Sequence, residues 1–179
     1  MKRLSVLVTL LILPSLAFSQ TTSHRTPQSD REQKRLSYFV GTWTLVGELK
    51  TSPFGIAGKF TGTQRNEWAA DHLSLVSRWD EQRPEGSDTG TSVYTYDTDR
   101  KLYKYHGTDS AGEVEDSTGT VTANTWIWMS QLTVSNGTSM KGRYTETITS
   151  PTSYDFKFDV APPDGQWTTA LEGKAQKTK

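Results

Sequence analysis

The sequence predicts an all-β protein, a single antiparallel up-and-down β-barrel of about ten strands with a short N-terminal helix. From Trp43 onward, apolar and polar residues alternate with a period of two. Clusters of Gly, Pro, Asn and Ser interrupt this alternation at short intervals, which favours antiparallel neighbours. Closure into a barrel then removes the exposed strand edges. A third observation is the run Phe39-Val40-Gly41-Thr42-Trp43. Its glycine allows a tight entry into the first strand, and its tryptophan is placed to close one barrel end.

The first 19 residues have the features of a secretory signal peptide. Two basic residues precede an apolar stretch over residues 4–13, and the small residues Ala17 and Ser19 suit cleavage after Ser19. The apolar stretch is too short to span a bilayer as a helix. We therefore expect a secreted or periplasmic protein with no transmembrane segment after cleavage. Residues 20–30 lack apolar periodicity and predict a disordered leader, which leaves 31–179 as one β-barrel domain.

Composition excludes several functions. Residues 1–19 contain two of the 20 basic residues and none of the 20 acidic ones, so the mature chain has two more acids than bases. This balance argues against a nucleic-acid partner, which needs a concentrated basic face. The absence of cysteine excludes disulfides, thiolate catalysis and cysteine-ligated metals. The three histidines, at positions 24, 72 and 106, are scattered, so we expect no metal site and no cofactor.

The elements follow in order along the chain. Asp30 is placed to cap a short helix that runs to Val40 and carries Leu36 and Phe39 on one side. Ten strand segments follow, over residues 42–50, 59–69, 72–81, 91–97, 101–108, 112–121, 124–132, 139–149, 152–160 and 166–176. Turn sequences such as Ser-Pro-Phe-Gly at 52–55 and Pro-Pro-Asp-Gly at 162–165 separate them.

Alternation also predicts which side chains face the barrel interior. In segment 152–160 one face is apolar and the other is charged, so the apolar face should point inward. The same rule predicts inward positions for Trp43, Leu45, Leu49, Phe60, Gln64, Asn66, Trp68, Leu73, Leu75, Trp79, Trp126, Trp128, Met140, Tyr144, Glu146, Ile148, Trp167, Thr169 and Leu171. All six tryptophans are thus predicted to lie on strands and to face inward.

Several motifs together resemble the bacterial domain of unknown function family 1579. They are the helix followed by Phe-Val-Gly-Thr-Trp, the segments 52–55, 60–63 and 93–97, Gly119-Thr120 before Trp126-Ile127-Trp128, and the closing run 167–175. The resemblance covers residues 34–177. That family is regarded as lipocalin-like, within the calycin group of β-barrels that also includes nitrobindin-like haem proteins. The resemblance implies a barrel with an internal ligand site and no established activity.

The same resemblance suggests structural roles for three residues. Gly41 and Trp43 resemble the lipocalin Gly-x-Trp, whose tryptophan stacks beneath a basic side chain from a late strand. Lys174 is the first candidate for that cation and Arg143 the second, and we interpret Trp43 as a structural plug. A nitrobindin-like haem site would need a proximal histidine on a late strand. No histidine follows Tyr144, so no haem is expected.

Three polar residues, Gln64, Asn66 and Glu146, are predicted to face inward. Each would cost about 1–3 kcal/mol if it were buried without a partner. Two explanations remain open: an internal network with Thr169 or the backbone, or a pocket in which these groups bind the polar end of a ligand. The predicted pocket walls are Trp68, Trp79, Trp126, Trp128, Tyr144 and Phe156.

Other acidic residues are given a surface role. Glu113 and Glu115 share one face of their segment, near Asp116, and no adjacent base or apolar partner indicates a shifted pKa. We therefore expect them on a solvated outer face. The chain also has no Gly-x-Ser-x-Gly elbow from which a hydrolase triad would begin.

The sequence thus favours an exported, non-catalytic barrel that binds a small hydrophobic or amphipathic molecule in its lumen. One alternative is an enzyme of isomerase or cyclase type that uses Glu146 as its acid. The other is a structural or protein-interaction module with a filled core. The identity of the ligand and the oligomeric state stay open.

Overall fold

The protein is an all-β barrel with one short N-terminal helix, as the sequence predicts. The computed structural model describes residues 27–134 and 137–178, with side chains from residue 30. Helix α1 (Pro27–Arg35) leads into a 3-10 turn (Leu36–Phe39). The strands are β1 (Gly41–Leu49), β2 (Gly58–Trp68), β3 (Leu75–Arg83), β4 (Gly86–Asp97), β5 (Leu102–Asp109), β6 (Val114–Thr122), β7 (Thr125–Thr133), β8 (Ser139–Ser150), β9 (Ser153–Ala161) and β10 (Thr168–Lys177).

The ten predicted segments all correspond to strands, and most of their ends agree within two residues. The larger differences are that β3 begins at Leu75 rather than at residue 72 and β4 at Gly86 rather than at residue 91. Helix α1 runs from Pro27 to Arg35 rather than from Asp30 to Val40. The predicted signal peptide and the predicted leader up to residue 26 lie outside the described residues. Within the described part, no helix is long and apolar enough to cross a membrane.

Each strand pairs in antiparallel fashion with the next, and β10 pairs with β1 to close the barrel. Leu45 therefore has Gly62 of β2 on one side and Ala175 of β10 on the other. Closure gives every strand two hydrogen-bonded neighbours and leaves no edge for pairing with another chain.

The helix closes one end of the barrel. Leu36 and Phe39 are buried beside Trp43, which is fully buried. The Trp43 indole nitrogen donates a hydrogen bond of 2.7 Å to the Phe39 carbonyl oxygen, so it ties the 3-10 turn to β1. The Tyr103 hydroxyl, from the wall, donates to the backbone oxygen of Glu32 at 2.8 Å. Gly41, at the entry to β1, has a φ of +115°, in the region that favours glycine.

The cation above Trp43 is Lys177, so the prediction of Lys174 is wrong. The Lys177 ammonium lies 5.1 Å from the centre of the Trp43 ring. Lys174 is 77% exposed and lies 3.8 Å from Asp155. The reason is strand alternation: Ala175 and Lys177 face the core while Lys174, between Gly173 and Ala175, faces solvent. The second candidate, Arg143, instead lies 4.5 Å over the ring of Trp167.

A β-bulge in β10 explains two further differences. The pairing of β10 with β9 shifts register between Thr169 and Leu171, and both Ala170 and Leu171 line the lumen. An alternation pattern that ignores the bulge therefore assigns Trp167 and Thr169, which precede it, to the wrong face of the strand. Trp167 precedes β10 and stacks on Arg143, and Thr169 donates a hydrogen bond of 2.8 Å to Asp159 on the outer wall.

Leu73 is a third exception. It lies in the connection between β2 and β3 and is exposed, although alternation predicts an inward position.

Candidate functional site

The lumen contains a cavity of about 570 Å3, a size typical of small-molecule sites. Its lining includes Ser52 and Phe54 between β1 and β2, and Glu113 between β5 and β6. These connections lie at the end opposite helix α1, so the cavity opens there. The interior of the barrel is therefore not filled by its own side chains.

Small residues on the inner wall create part of this space and let large rings lie flat. A Cβ atom at Gly90 would overlap the ring of Trp79, and one at Gly119 would overlap the ring of Trp128. Each glycine is thus covered by an aromatic ring from the neighbouring strand. Substitution at either glycine would push an aromatic ring into the cavity.

Aromatic side chains form much of the wall. The residues are Phe54, Phe60, Trp79, Tyr94, Tyr105, Trp128, Tyr144, Phe156 and Phe158. Tyr94 packs edge-on against both Tyr105 and Trp128, with ring centres 5.0 and 5.3 Å apart. Tyr144 stacks on Phe156 at 6.1 Å with an interplanar angle of 14°. Mutual packing of this kind holds the rings in place and preforms the wall.

Glu146 on β8 is the deepest acidic residue of the cavity. It is 6% exposed, and its Oε2 accepts a hydrogen bond of 3.0 Å from the Trp128 indole nitrogen. Burial raises the pKa of Glu146 from 4.5 to about 7, while the bond from Trp128 acts in the opposite direction. The carboxyl therefore exchanges its proton near neutral pH.

Gln64 and Asn66 on β2 are held mainly by the protein itself. The Gln64 amide donates to Ser77 at 3.0 Å and its oxygen accepts from Tyr154 at 3.2 Å. The Asn66 amide donates to the Phe39 carbonyl at 2.9 Å, and its Oδ1 has no hydrogen-bond partner within the described part of the chain. Both residues, with Glu146, line a second void of about 10 Å3, which has room for one water molecule. Gln64 thus belongs to an internal network and also borders the main cavity.

The predicted site residues divide by depth. Six of them line the main cavity: Gln64, Trp79, Trp128, Tyr144, Glu146 and Phe156. The other three, Asn66, Trp68 and Trp126, face inward but lie at the closed end. Trp126 is 1% exposed and packs between Phe39 and Tyr103, with ring centres 5.4 and 4.7 Å away. Alternation identifies the inner face of a strand, but it does not tell how deep along the lumen a residue lies.

Six charged residues at the mouth were missed as site residues. They line the cavity and are Glu81 and Arg83 on β3, Asp88 on β4, Asp109 on β5, Glu113 between β5 and β6, and Glu115 on β6. Arg83 lies 2.7 Å from Glu81 and 3.3 Å from Asp88. Glu81 and Arg83 continue the inward series that begins at Leu75 and Trp79, and that signal was present in the sequence.

The prediction that Glu113 and Glu115 lie on a solvated outer face is wrong, because both line the mouth. The inner face of β6 carries Ser117 and Gly119, which are buried although neither is a large apolar residue. Each face of the strand carries one valine: Val121 packs against the core on the inner face, whereas Val114 is exposed. With one apolar residue on each face, alternation alone could not tell the inner face of this strand from the outer one.

The comparisons with known proteins identify a family. The profile of the DUF1579 family, described as a protein of unknown function, matches residues 26–177, and the chain belongs to this family. No curated protein matches the chain.

Two solved structures show the same type of fold. The crystal structure of Rv2717c from M. tuberculosis has 13% identity and a TM-score of 0.56, with 82% of this chain and 96% of that chain covered. The S-type phycobiliprotein lyase CPES from Guillardia theta has 10% identity and a TM-score of 0.56, with coverages of 84% and 97%. At such identities the similarity concerns the barrel fold.

Proposed function

We propose that this member of the DUF1579 family is a non-catalytic binding protein that takes a small hydrophobic or amphipathic ligand into its lumen. The observation that carries the proposal is the cavity of about 570 Å3, open at one end and walled by packed aromatic rings. An apolar ligand body would bury its surface against these rings, which is the main source of affinity in such sites. Polar groups at the mouth and at Glu146 would orient its polar end.

We also propose that the protein is exported. This rests on residues 1–19, with their two basic residues, apolar stretch and small residues before the cleavage point. Expression of the full chain in a bacterial host, followed by fractionation and intact-mass analysis, tests it. A mature protein that begins at Gln20 outside the cytoplasm is expected, and an uncleaved cytoplasmic protein would contradict the proposal.

One observation favours an enzyme as the second candidate. Glu146 faces the lumen and is desolvated, and its pKa of about 7 suits a general acid or base at neutral pH. Its hydrogen-bond partner, however, is the Trp128 indole, which cannot exchange protons in this range. The binding role therefore accounts for more of the site than a catalytic role does.

A titration with the neutral fluorophore N-phenyl-1-naphthylamine tests the binding proposal. We expect saturable binding with one site per chain and quenching of tryptophan emission, because Trp79 and Trp128 line the cavity. Ser117→Phe should weaken binding at least tenfold, since Ser117 is buried and borders the cavity, and a phenyl ring there would occupy ligand space.

Thr118→Phe is the matched control. Thr118 is the next residue on β6 and is exposed, so the added ring would point into solvent. Binding should be unchanged in this variant. Equal affinities for the two variants, or no saturable binding by the parent protein, would refute a ligand site in the lumen.

A further inference from the structure

We propose that the lumen selects amphipathic ligands that carry a positive charge. The cation would lie against the carboxylates of Glu81, Asp88 and Glu115, and the apolar body would lie against the opposite wall. This inference rests on the proposed function, because it specifies the class of ligand that the same cavity takes.

The cavity has two chemically different walls. Strands β3 to β6 supply acidic and hydroxyl side chains, namely Glu81, Asp88, Ser92, Glu115 and Ser117. Strands β9, β10, β1 and β2 supply mostly apolar ones, including Leu45, Phe60, Phe156, Phe158 and Leu171. Because β3 to β6 are consecutive neighbours in the closed barrel, the polar residues form one continuous side of the lumen. A ligand with a polar and an apolar side would match this arrangement.

The charges on the polar wall are unbalanced. Among the described residues that line the cavity, six are acidic and Arg83 alone is basic. Arg83 contacts both Glu81 and Asp88, so one guanidinium group faces two carboxylates. Glu115 receives a hydrogen bond of 2.8 Å from the Ser117 hydroxyl, but no basic side chain in the described part of the chain forms an ion pair with it. The wall therefore carries an excess of negative charge, and a bound cation would neutralise it.

Two further features point to a ligand at this wall. The Ser92 hydroxyl is 2% exposed and borders the cavity close to the tyrosine hydroxyls of the wall, yet it makes no hydrogen bond of ordinary geometry within the described residues. Trp79 and Tyr105 add aromatic faces on the same strands, and such faces attract alkylammonium groups. Burial raises the pKa of the Tyr105 hydroxyl, and the Glu115 carboxylate adds a smaller effect in the same direction.

A metal ion does not account for the acidic wall. No group of three or more His, Asp or Glu side chains in the described part of the chain is arranged to hold a metal. The acidic residues are instead spread over several strands, with Glu81 and Asp88 paired across β3 and β4 and Glu115 two strands beyond Asp88. This spacing fits an organic cation with a broad, low charge density better than a compact metal ion.

Three probes with one ring system separate charge from apolar contact. They are 1-naphthylmethyl-trimethylammonium, 1-naphthylmethanol and 1-naphthylacetate, each measured by displacement of the neutral fluorophore at pH 8. We expect the cation to bind at least tenfold more tightly than the alcohol and the anion more weakly than the alcohol. Raising the salt concentration should reduce the preference for the cation, because part of the attraction at the open mouth is screened.

Two variants should change the preference for the cationic probe over the neutral alcohol in opposite directions. Glu115→Gln removes one negative charge and should weaken binding of the cation about tenfold while leaving the alcohol unchanged. Arg83→Gln removes the lining cation and should strengthen binding of the cationic probe several-fold. Asp116→Asn is the matched control, because Asp116 is 78% exposed beside His106 on the outer wall, so the same change in net charge should leave all three affinities unchanged.

The outcomes distinguish this inference from the proposed function. Saturable binding of all three probes with equal affinity, or tightest binding of the anion, would overturn the charge selectivity and leave the binding role intact. A cation preference that Asp116→Asn reduces as much as Glu115→Gln would also overturn it, since the effect would then come from net charge. If none of the three probes bound, both the inference and the proposed function would be refuted.

Discussion

The indole nitrogen of Trp128 donates a hydrogen bond of 3.0 Å to Oε2 of Glu146, and this pair joins the aromatic wall of the lumen to its deepest acid. The bond favours the ionised carboxylate, whereas burial favours the neutral acid and has the larger effect. The result is a pKa of about 7, above the usual 4.5. Protonation of Glu146 is therefore coupled to folding.

The sign of that coupling gives the first prediction. The folded state holds the proton more tightly than the unfolded state, so the stabilisation is fully present below pH 4.5, declines as the pH rises, and is lost once the pH passes 7. A shift of this size corresponds to about 3 kcal/mol. Glu146→Gln keeps a neutral side chain at all pH values. The variant should therefore gain up to about 3 kcal/mol of unfolding free energy relative to the parent between pH 5 and pH 8.

Urea denaturation of both proteins at several pH values measures this difference. Taking the difference cancels the contributions of other groups, including His72 and His106, because both proteins contain them. A difference in stability that does not change with pH would show that Glu146 has an ordinary pKa.

The second prediction concerns the closed end of the barrel. Trp43 is fully buried against the 3-10 turn, so Trp43→Ala should lower the unfolding free energy by about 3–5 kcal/mol through lost burial and a cavity. Trp167→Ala is the comparison, because Trp167 is only partly buried and lies outside the lumen against Arg143. Trp167→Ala should lower the unfolding free energy by much less than Trp43→Ala does. Equal losses in chemical denaturation would mean that Trp43 does not have a special role as a plug.

The fold could be predicted from the sequence because its signals are local. Alternation and turn residues act within a few positions, and ten alternating segments with short connections lead to a closed antiparallel barrel. One error arose where a single residue changes the phase, because the bulge between Thr169 and Leu171 reverses the facing of Thr169. The choice of Lys174 has a different origin: it came from the family resemblance, whereas unbroken alternation from the inward Leu171 places Lys174 outward and Lys177 inward. No sequence pattern marked that bulge.

Only part of the site could be predicted, because strand alternation gives the facing of a residue but not its depth along the lumen. The inner face of β8 is marked by Tyr144 and Glu146, both of which line the cavity as expected. Depth along the lumen depends on strand stagger and on where the helix sits, which alternation does not encode. Trp126 and Trp128 therefore have the same predicted facing, although only Trp128 borders the main cavity. On β6 the small inner residues Ser117 and Gly119 concealed the inward position of Glu115.

The third prediction separates the two lysines of β10. Lys177→Met removes the ammonium group that lies 5.1 Å from the centre of the Trp43 ring and should lower the unfolding free energy by about 0.5–2 kcal/mol. Lys174→Met alters an exposed side chain whose contact with Asp155 is 3.8 Å, and such pairs contribute little. Thermal or urea denaturation of the two variants decides between them. A larger loss for Lys174→Met would contradict the assignment of Lys177 as the cation above Trp43.

The fourth prediction uses two stacked tryptophans that differ in their access to the cavity. The rings of Trp126 and Trp128 are 6.0 Å apart with an interplanar angle of 14°, but Trp128 lines the cavity while Trp126 is buried beneath it against Phe39 and Tyr103. Trp128→Ala should weaken the binding of cationic, neutral and anionic probes by a similar factor at pH 5, where Glu146 is neutral with or without the indole hydrogen bond. Under that condition the substitution removes apolar contact area rather than charge.

Trp126→Ala should behave differently. It removes a residue with 1% exposure from the core, so it should cost about 3–5 kcal/mol of unfolding free energy. Probe affinity, measured in conditions where the variant stays folded, should change little, because the cavity wall formed by Trp128 and Tyr94 remains. Fluorophore titration and denaturation of both variants give the two readouts together. If Trp126→Ala abolished binding in the folded protein while Trp128→Ala left it intact, the ligand would lie at the closed end of the barrel and not in the cavity that opens at the mouth.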